Sequence, residues 1–125
     1  MKVTSVKLAR VEGFEDECVT VVVPTLEEAS RVLGRWARTA PEGGCYDKCD
    51  FAVTWADGEK YEGRVDLEHK HVGGYDLLGH MRDFAGFLAG VLKPAWMDDA
   101  LWETARERHL DQRAEALALY ARLEN

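Results

Sequence analysis

His69 and His71 stand two residues apart, flanked by Asp66 and Asp76, with His80 further along the chain. In an extended segment, residues i and i+2 point to the same side. Both imidazoles would then be presented together. Two imidazoles joined by a carboxylate or a third imidazole form a ligand set for zinc or another transition metal. His69, His71, His80 and Asp76 are therefore the candidate metal ligands. The spacing argues against a strong site: there is no HExxH, and Gly73-Gly74 separates the His pair from His80. His80 also projects beside Phe87 and Val91 on a helical wheel, where a residue flanking a core stripe would lie. Surface or structural histidines are the favoured reading. No cofactor is expected, with zinc as the alternative.

Cys45 and Cys49 have CxxxC spacing after Gly43-Gly44. Together with His69 and His71 they would make a Cys2His2 set, but a single residue between the histidines is shorter than such sites use. Two thiols near the start of a strand are expected instead. Cys18 opens a strand and is expected to act as a small core residue. Arg31, Arg35 and Arg38 recur along one side of a helix and could hold an anion or an acidic partner. Glu27 and Glu28 can neutralise part of that row by pairing with Arg31, so a solvated face is expected. The acidic run from Glu12 to Glu17 is read in the same way, with a basic partner as its alternative. No P-loop, GxGxxG, GxSxG or kinase motif is present.

The elements that would position these groups are legible from periodicity. Residues 3–11 read as a strand, with Thr4, Val6, Leu8 and Arg10 opposed to Val3, Lys7, Ala9 and Val11. The β-branched run 18–23, Cys-Val-Thr-Val-Val-Val, is its hairpin partner. Thr25 with Glu28 is a capping box that starts a helix running to about Ala40. A second hairpin follows over residues 50–56 and 60–67, with Asp57-Gly58 at its turn. Phe51, Val53 and Trp55 share one face with Tyr61, Val65 and Leu67. Gly63 lies on that face, where it relieves crowding or marks a bulge. Asp76 can cap a helix over 77–92, with Leu77, Met81, Phe84, Leu88, Val91 and Leu92 toward the sheet. A last helix from Asp98 or Asp99 reaches Leu123.

The expected order is ββαββαα, an α+β fold. Its two hairpins form a four-stranded antiparallel sheet with helices on one face and a C-terminal helix. One domain is expected, with a core over 1–97 and a C-terminal helix over 98–125 packed on the core or on a partner. Gly79, Gly86 and Gly90 project together away from the apolar stripe. Each glycine inside a helix costs roughly 0.8–1 kcal/mol against alanine, so close approach of another helix or chain is the expected compensation. Leu110, Ala114, Leu117 and Ala121 form a second apolar face on the terminal helix. These seven residues are the interface candidates, and a homodimer is one way to cover them.

The runs Phe51-Ala-Val-Thr-Trp-Ala-Asp-Gly and Tyr61-Glu-Gly-Arg-Val-Asp-Leu67, followed by Leu78-Gly-His80, Gly90 and Pro94-Ala-Trp-Met97, resemble small α+β modules of mobile elements. These modules are the large polyvalent protein-associated domains of phages and conjugative plasmids. The resemblance spans about the middle half of the chain. It implies an accessory protein that acts on host defence or transfer machinery by contact, without catalysis, and it carries over no catalytic residues.

The formal net charge of -7 argues against general nucleic-acid binding, which needs a basic surface. It suits a partner with a basic surface, such as a nuclease or transfer complex. No run reaches the roughly 18 apolar residues of a membrane span. The stretch MKVTSVKLARVEGF has no signal-peptide core. A cytoplasmic, non-enzymatic protein-binding domain is the expectation, and a defence inhibitor or a plasmid accessory factor would fit it. A metal-binding domain or metal-dependent enzyme built on His69, His71 and His80 is the alternative.

Overall fold

The computed structural model describes residues 2–11, 18–39, 48–67 and 76–124, with Val11, Cys18 and Thr39 described by their backbone alone. The described chain divides into two compact units, residues 1–77 and 78–125. The expected α+β architecture is present. Strands β1 (Val3–Val11), β2 (Cys18–Val23), β3 (Lys48–Trp55) and β4 (Lys60–Asp66) form one antiparallel sheet in the order β2-β1-β3-β4. Helix α1 (Leu26–Thr39) follows β2, and α2 (Leu77–Leu88), α3 (Asp99–Arg108) and α4 (Arg113–Glu124) follow β4.

In the first unit, every second residue of β3 is buried: Cys49, Phe51, Val53 and Trp55. Val6 and Leu8 of β1 and Val65 of β4 lie on the same face of the sheet by register. Helix α1 lies against β1 and β2 and buries Ala29, Val32, Leu33 and Ala37. Its start matches the expected cap, with the Glu28 amide donating to Thr25 Oγ1 at 3.1 Å. Arg10 is buried on the covered face, its guanidinium 5.8 Å from the Trp36 ring centroid. The ring offers the buried cation a favourable face. A register irregularity between Val3 and Ser5 resets the alternation of β1, which is why the pattern looks weak at its start.

The β3–β4 turn is a three-residue loop. Gly58 sits at φ 88°, its amide donating to the Trp55 carbonyl at 2.9 Å, while the Trp55 amide donates to the Glu59 carbonyl. Only Gly58 needs a positive φ there; Asp57 contributes its side chain, which accepts from the Glu59 amide at 3.2 Å. Gly63 stands opposite Phe51 in the register, and a Cβ added to it would come within 2.6 Å of the Phe51 ring. The glycine therefore relieves crowding. It gives Phe51 room to lie across β4, beside Tyr61 at 5.9 Å. Burial raises the Tyr61 pKa above its ordinary value by disfavouring the phenolate.

Within the first unit, Ser30 of α1 is bonded to Leu77. Its hydroxyl donates to the Leu26 carbonyl at 2.9 Å and accepts from the Leu77 amide at 3.0 Å. That amide is one of the donors a helix start leaves unsatisfied.

The second unit departs from expectation twice. Helix α2 ends at Leu88 and does not continue to Leu92. Leu77, Met81 and Ala85 of α2 and Ala89 just after it are buried, whereas Phe84, Val91 and Leu92 are exposed. The terminal helix is broken at His109. The segment Leu110–Gln112 is a 3-10 turn between α3 and α4. The Arg106 carbonyl, left without a helical donor by this break, accepts from Arg113 Nη2 at 2.8 Å. The Arg82 and Glu124 side chains pair at 2.7 Å.

Replacing Gly63 by alanine should displace the Phe51 ring and lower stability by about 1–3 kcal/mol. Urea unfolding followed by circular dichroism measures this, and an unchanged midpoint would contradict the packing described. Ser30→Ala should cost about 1–2 kcal/mol through the unpaired Leu77 amide in the same assay.

Candidate functional site

The end of α2 is built by glycine. The Gly90 amide donates to the Phe87 carbonyl at 3.1 Å, and the Val91 amide donates back to Gly86 at 2.9 Å. With Gly90 at φ 77°, this is a Schellman stop. Leu92 then folds back over Gly86, so closely that a Cβ on Gly86 would overlap its side chain. Lys93-Pro94 prevents the helix from resuming. A turn closes from the Met97 amide to the Pro94 carbonyl at 3.1 Å. It sends Met97 inward, 8% exposed, and Trp96 outward, 78% exposed. Asp98 then caps α3 by accepting from the Leu101 amide at 2.8 Å. Lys93 pairs with Asp99 at 3.1 Å.

Together these local rules enclose a groove of about 550 Å³ on the second unit. Phe87 forms part of it and is itself held by Trp102, at 5.9 Å, and His109, at 5.7 Å between ring centroids. Phe84, Leu92, Pro94 and Trp96 supply apolar lining, while His80, Asp83 and Lys93 add polar groups. Phe84 is 49% exposed, so two large aromatic side chains of this groove face solvent. The lining suits capture of an apolar side chain with a polar rim around it. Among the described residues, its lining holds no serine, threonine or cysteine.

A second concavity of about 480 Å³ lies on the open face of the sheet, lined by Lys7, Ala9, Asp50, Ala52, Glu62 and Arg64 among others. Arg64 Nε donates to Asp50 at 2.6 Å and its Nη2 to the other carboxylate oxygen at 3.3 Å. That hydrogen bond, with the attraction of the carboxylate, raises the Arg64 pKa further above its ordinary value. Lys48 and Asp66 pair at 2.8 Å on the same face. These mutual pairs occupy much of the face's charge internally.

Of the metal candidates, His69 and His71 lie outside the described residues. Asp76 immediately precedes α2, His80 is on its first turn, and both are exposed. Among the described residues, no group of three His, Cys, Asp or Glu side chains could hold a metal ion. Cys45 and the Cys18 side chain are likewise outside the described residues. Cys49 is a buried thiol, its Sγ 3.5 Å from the Asp50 carbonyl oxygen. The acidic run 12–17 is also outside them. Arg31, Arg35 and Arg38 all sit on the exposed side of α1, and Arg31 pairs with Glu27 at 3.1 Å.

The glycine stripe requires correction. Gly79, Gly86 and Gly90 do not form one open helical surface, because Gly90 lies beyond the helix and the chain's own Leu92 covers Gly86. Leu110, Ala114, Leu117 and Ala121 do not share one helix either, since Leu110 belongs to the 3-10 turn; all four are exposed. The groove around Trp96 escapes sequence periodicity because most of its apolar wall lies between helices. An apolar run, Val91, Leu92 and Trp96, interrupted by Lys93-Pro94, was the available signal.

Comparison with protein-family models, with curated proteins and with solved structures finds no match. No helix among the described residues is long and apolar enough to cross a membrane.

Gly90→Ala should lower stability by about 1–3 kcal/mol, because the positive φ is strained and the added Cβ would meet Arg106 Nε at 3.1 Å. Thermal unfolding measures this. Gly58→Ala, where nothing lies within 4 Å, should cost only the conformational part, and equal losses at both sites would contradict the crowding at Gly90.

Proposed function

We propose that this chain is a non-enzymatic protein-binding module that engages a partner through the groove around Trp96. The observation that carries this reading is the 78% exposure of Trp96 beside the half-exposed Phe84 on a preformed apolar groove. Tryptophan left in water at a groove rim is a poor core residue and a good anchor. It is enriched among the residues that dominate contact energies, and an aromatic side chain buries about 150–250 Å² when covered.

The acidic balance of the whole chain, -7, favours a partner with a basic surface. The resemblance to mobile-element modules suggests the setting: a cytoplasmic accessory protein that blocks a host defence complex, such as a nuclease assembly, by contact. Charge and resemblance support that setting; the groove supports the mode of action.

The test is capture of a partner from host extract, followed by affinity measurement with the purified pair. Trp96→Ala should weaken binding by about 30-fold or more, the effect of losing roughly 2 kcal/mol at an anchor. Circular dichroism should remain unchanged, since the side chain is exposed. His69→Ala/His71→Ala should bind as the unmodified chain does. Undiminished binding by Trp96→Ala would overturn the groove as the contact site. Loss of binding together with loss of a bound metal in the histidine variant would favour a metal-dependent activity instead.

A further inference from the structure

The sheet has two edges, and they differ in chemistry. The β4 edge carries Lys60, Glu62, Arg64 and Asp66 at every second position. Charges spaced in this way discourage another strand from adding to an edge. The β2 edge, Cys-Val-Thr-Val-Val-Val, carries none. Val19 is 45% and Val22 63% exposed there. In the register, Val22 stands beside Lys7 on the open face and Val19 beside Arg10 on the covered face. The edge therefore carries no charge on either face.

From this asymmetry we infer that two copies of the chain pair through β2, antiparallel, about a dyad at Val21. The two four-stranded sheets then become one of eight strands. A second copy fits this edge for two reasons. The chain bears a net charge of -7, so self-association is repelled wherever acidic surface meets acidic surface; β2 is a strand without a charge. Centred at Val21, the pairing also sets Val19 opposite Val23, Thr20 opposite Val22 and Val21 opposite its own copy, β-branched against β-branched, a favourable cross-strand pairing. Antiparallel pairing further sets the two Cys18 ends apart. A dyad perpendicular to the sheet keeps the covered faces of both copies on the same side. This inference does not depend on the groove.

Sedimentation equilibrium across the micromolar range tests it, on the full chain. The unmodified chain should sediment at twice its formula mass. Val22→Lys and Val22→Asp should both sediment as folded monomers, because either sign places like charges across the dyad. Using both signs separates edge blocking from a change in net charge. Should either variant misfold, amide exchange of the unmodified chain decides: residues 18–23 should exchange more slowly as concentration rises. A monomer throughout the range would leave β2 for a foreign strand and overturn the inference. So would a dimer that survives both substitutions, a dimer lost only on Leu117→Glu, or exchange over 18–23 that is independent of concentration.

Discussion

The pairing of β1 with β3 is the constraint on which the rest of the sheet depends. The hairpins β1–β2 and β3–β4 are local, closing over short connections. The β1–β3 ladder is not: it joins Val6 to Val53 and Leu8 to Phe51 across α1 and its connections. Loop closure of this kind costs only slowly more with length, but the cost must be met by burial. Val6, Leu8 and Val53 have no measurable exposure and Phe51 only 3%. Truncating one such side chain to alanine typically costs about 2–5 kcal/mol, a large part of the 5–15 kcal/mol that holds a domain together. The ladder also decides which strands are edges. Because β1 and β3 take the centre, β2 and β4 are left outside, and the unequal charge of those strands becomes a difference between two open flanks.

The second unit is organised by a different device. A helix stop at Gly90 reverses the chain, Leu92 closes over Gly86, and Pro94 to Met97 turns once more before α3. One residue of that turn is buried and its neighbour is not. The result is a groove whose wall is held by backbone geometry at the end of a helix. Arg106 and Arg113 pack beside Gly90, near the carbonyl end of α2, where positive charge is favoured. Their Nε atoms are buried without a hydrogen-bond partner, while Arg113 Nη2 bonds the Arg106 carbonyl and Arg106 Nη1 pairs with Glu103.

Much of the fold was legible in the sequence because its signals are local. The alternation of Phe51, Val53 and Trp55, the Thr25 cap and the Gly58 turn each follow from nearest neighbours. Strand order is not local, and neither is the limit of α2. A helical projection gives Gly90 an angle whether or not the residue is still helical. The glycine that looked like one member of a packing stripe is the residue that ends the helix. The break at His109 was hidden for a similar reason: the apolar spacing from Leu101 to Leu123 continues past it, and no proline or glycine marks it. The candidate site was the least legible part. Its anchor, Trp96, belongs to no periodic element, and its exposure is decided by a turn that buries Met97 instead.

These features support the proposal that this chain acts by contact at the end of α2. Hydrogen–deuterium exchange of the chain, alone and with its captured partner, tests that claim most directly. Slowed exchange concentrated between His80 and Trp102 is the predicted result. Slowing elsewhere, with that segment unchanged, would contradict it.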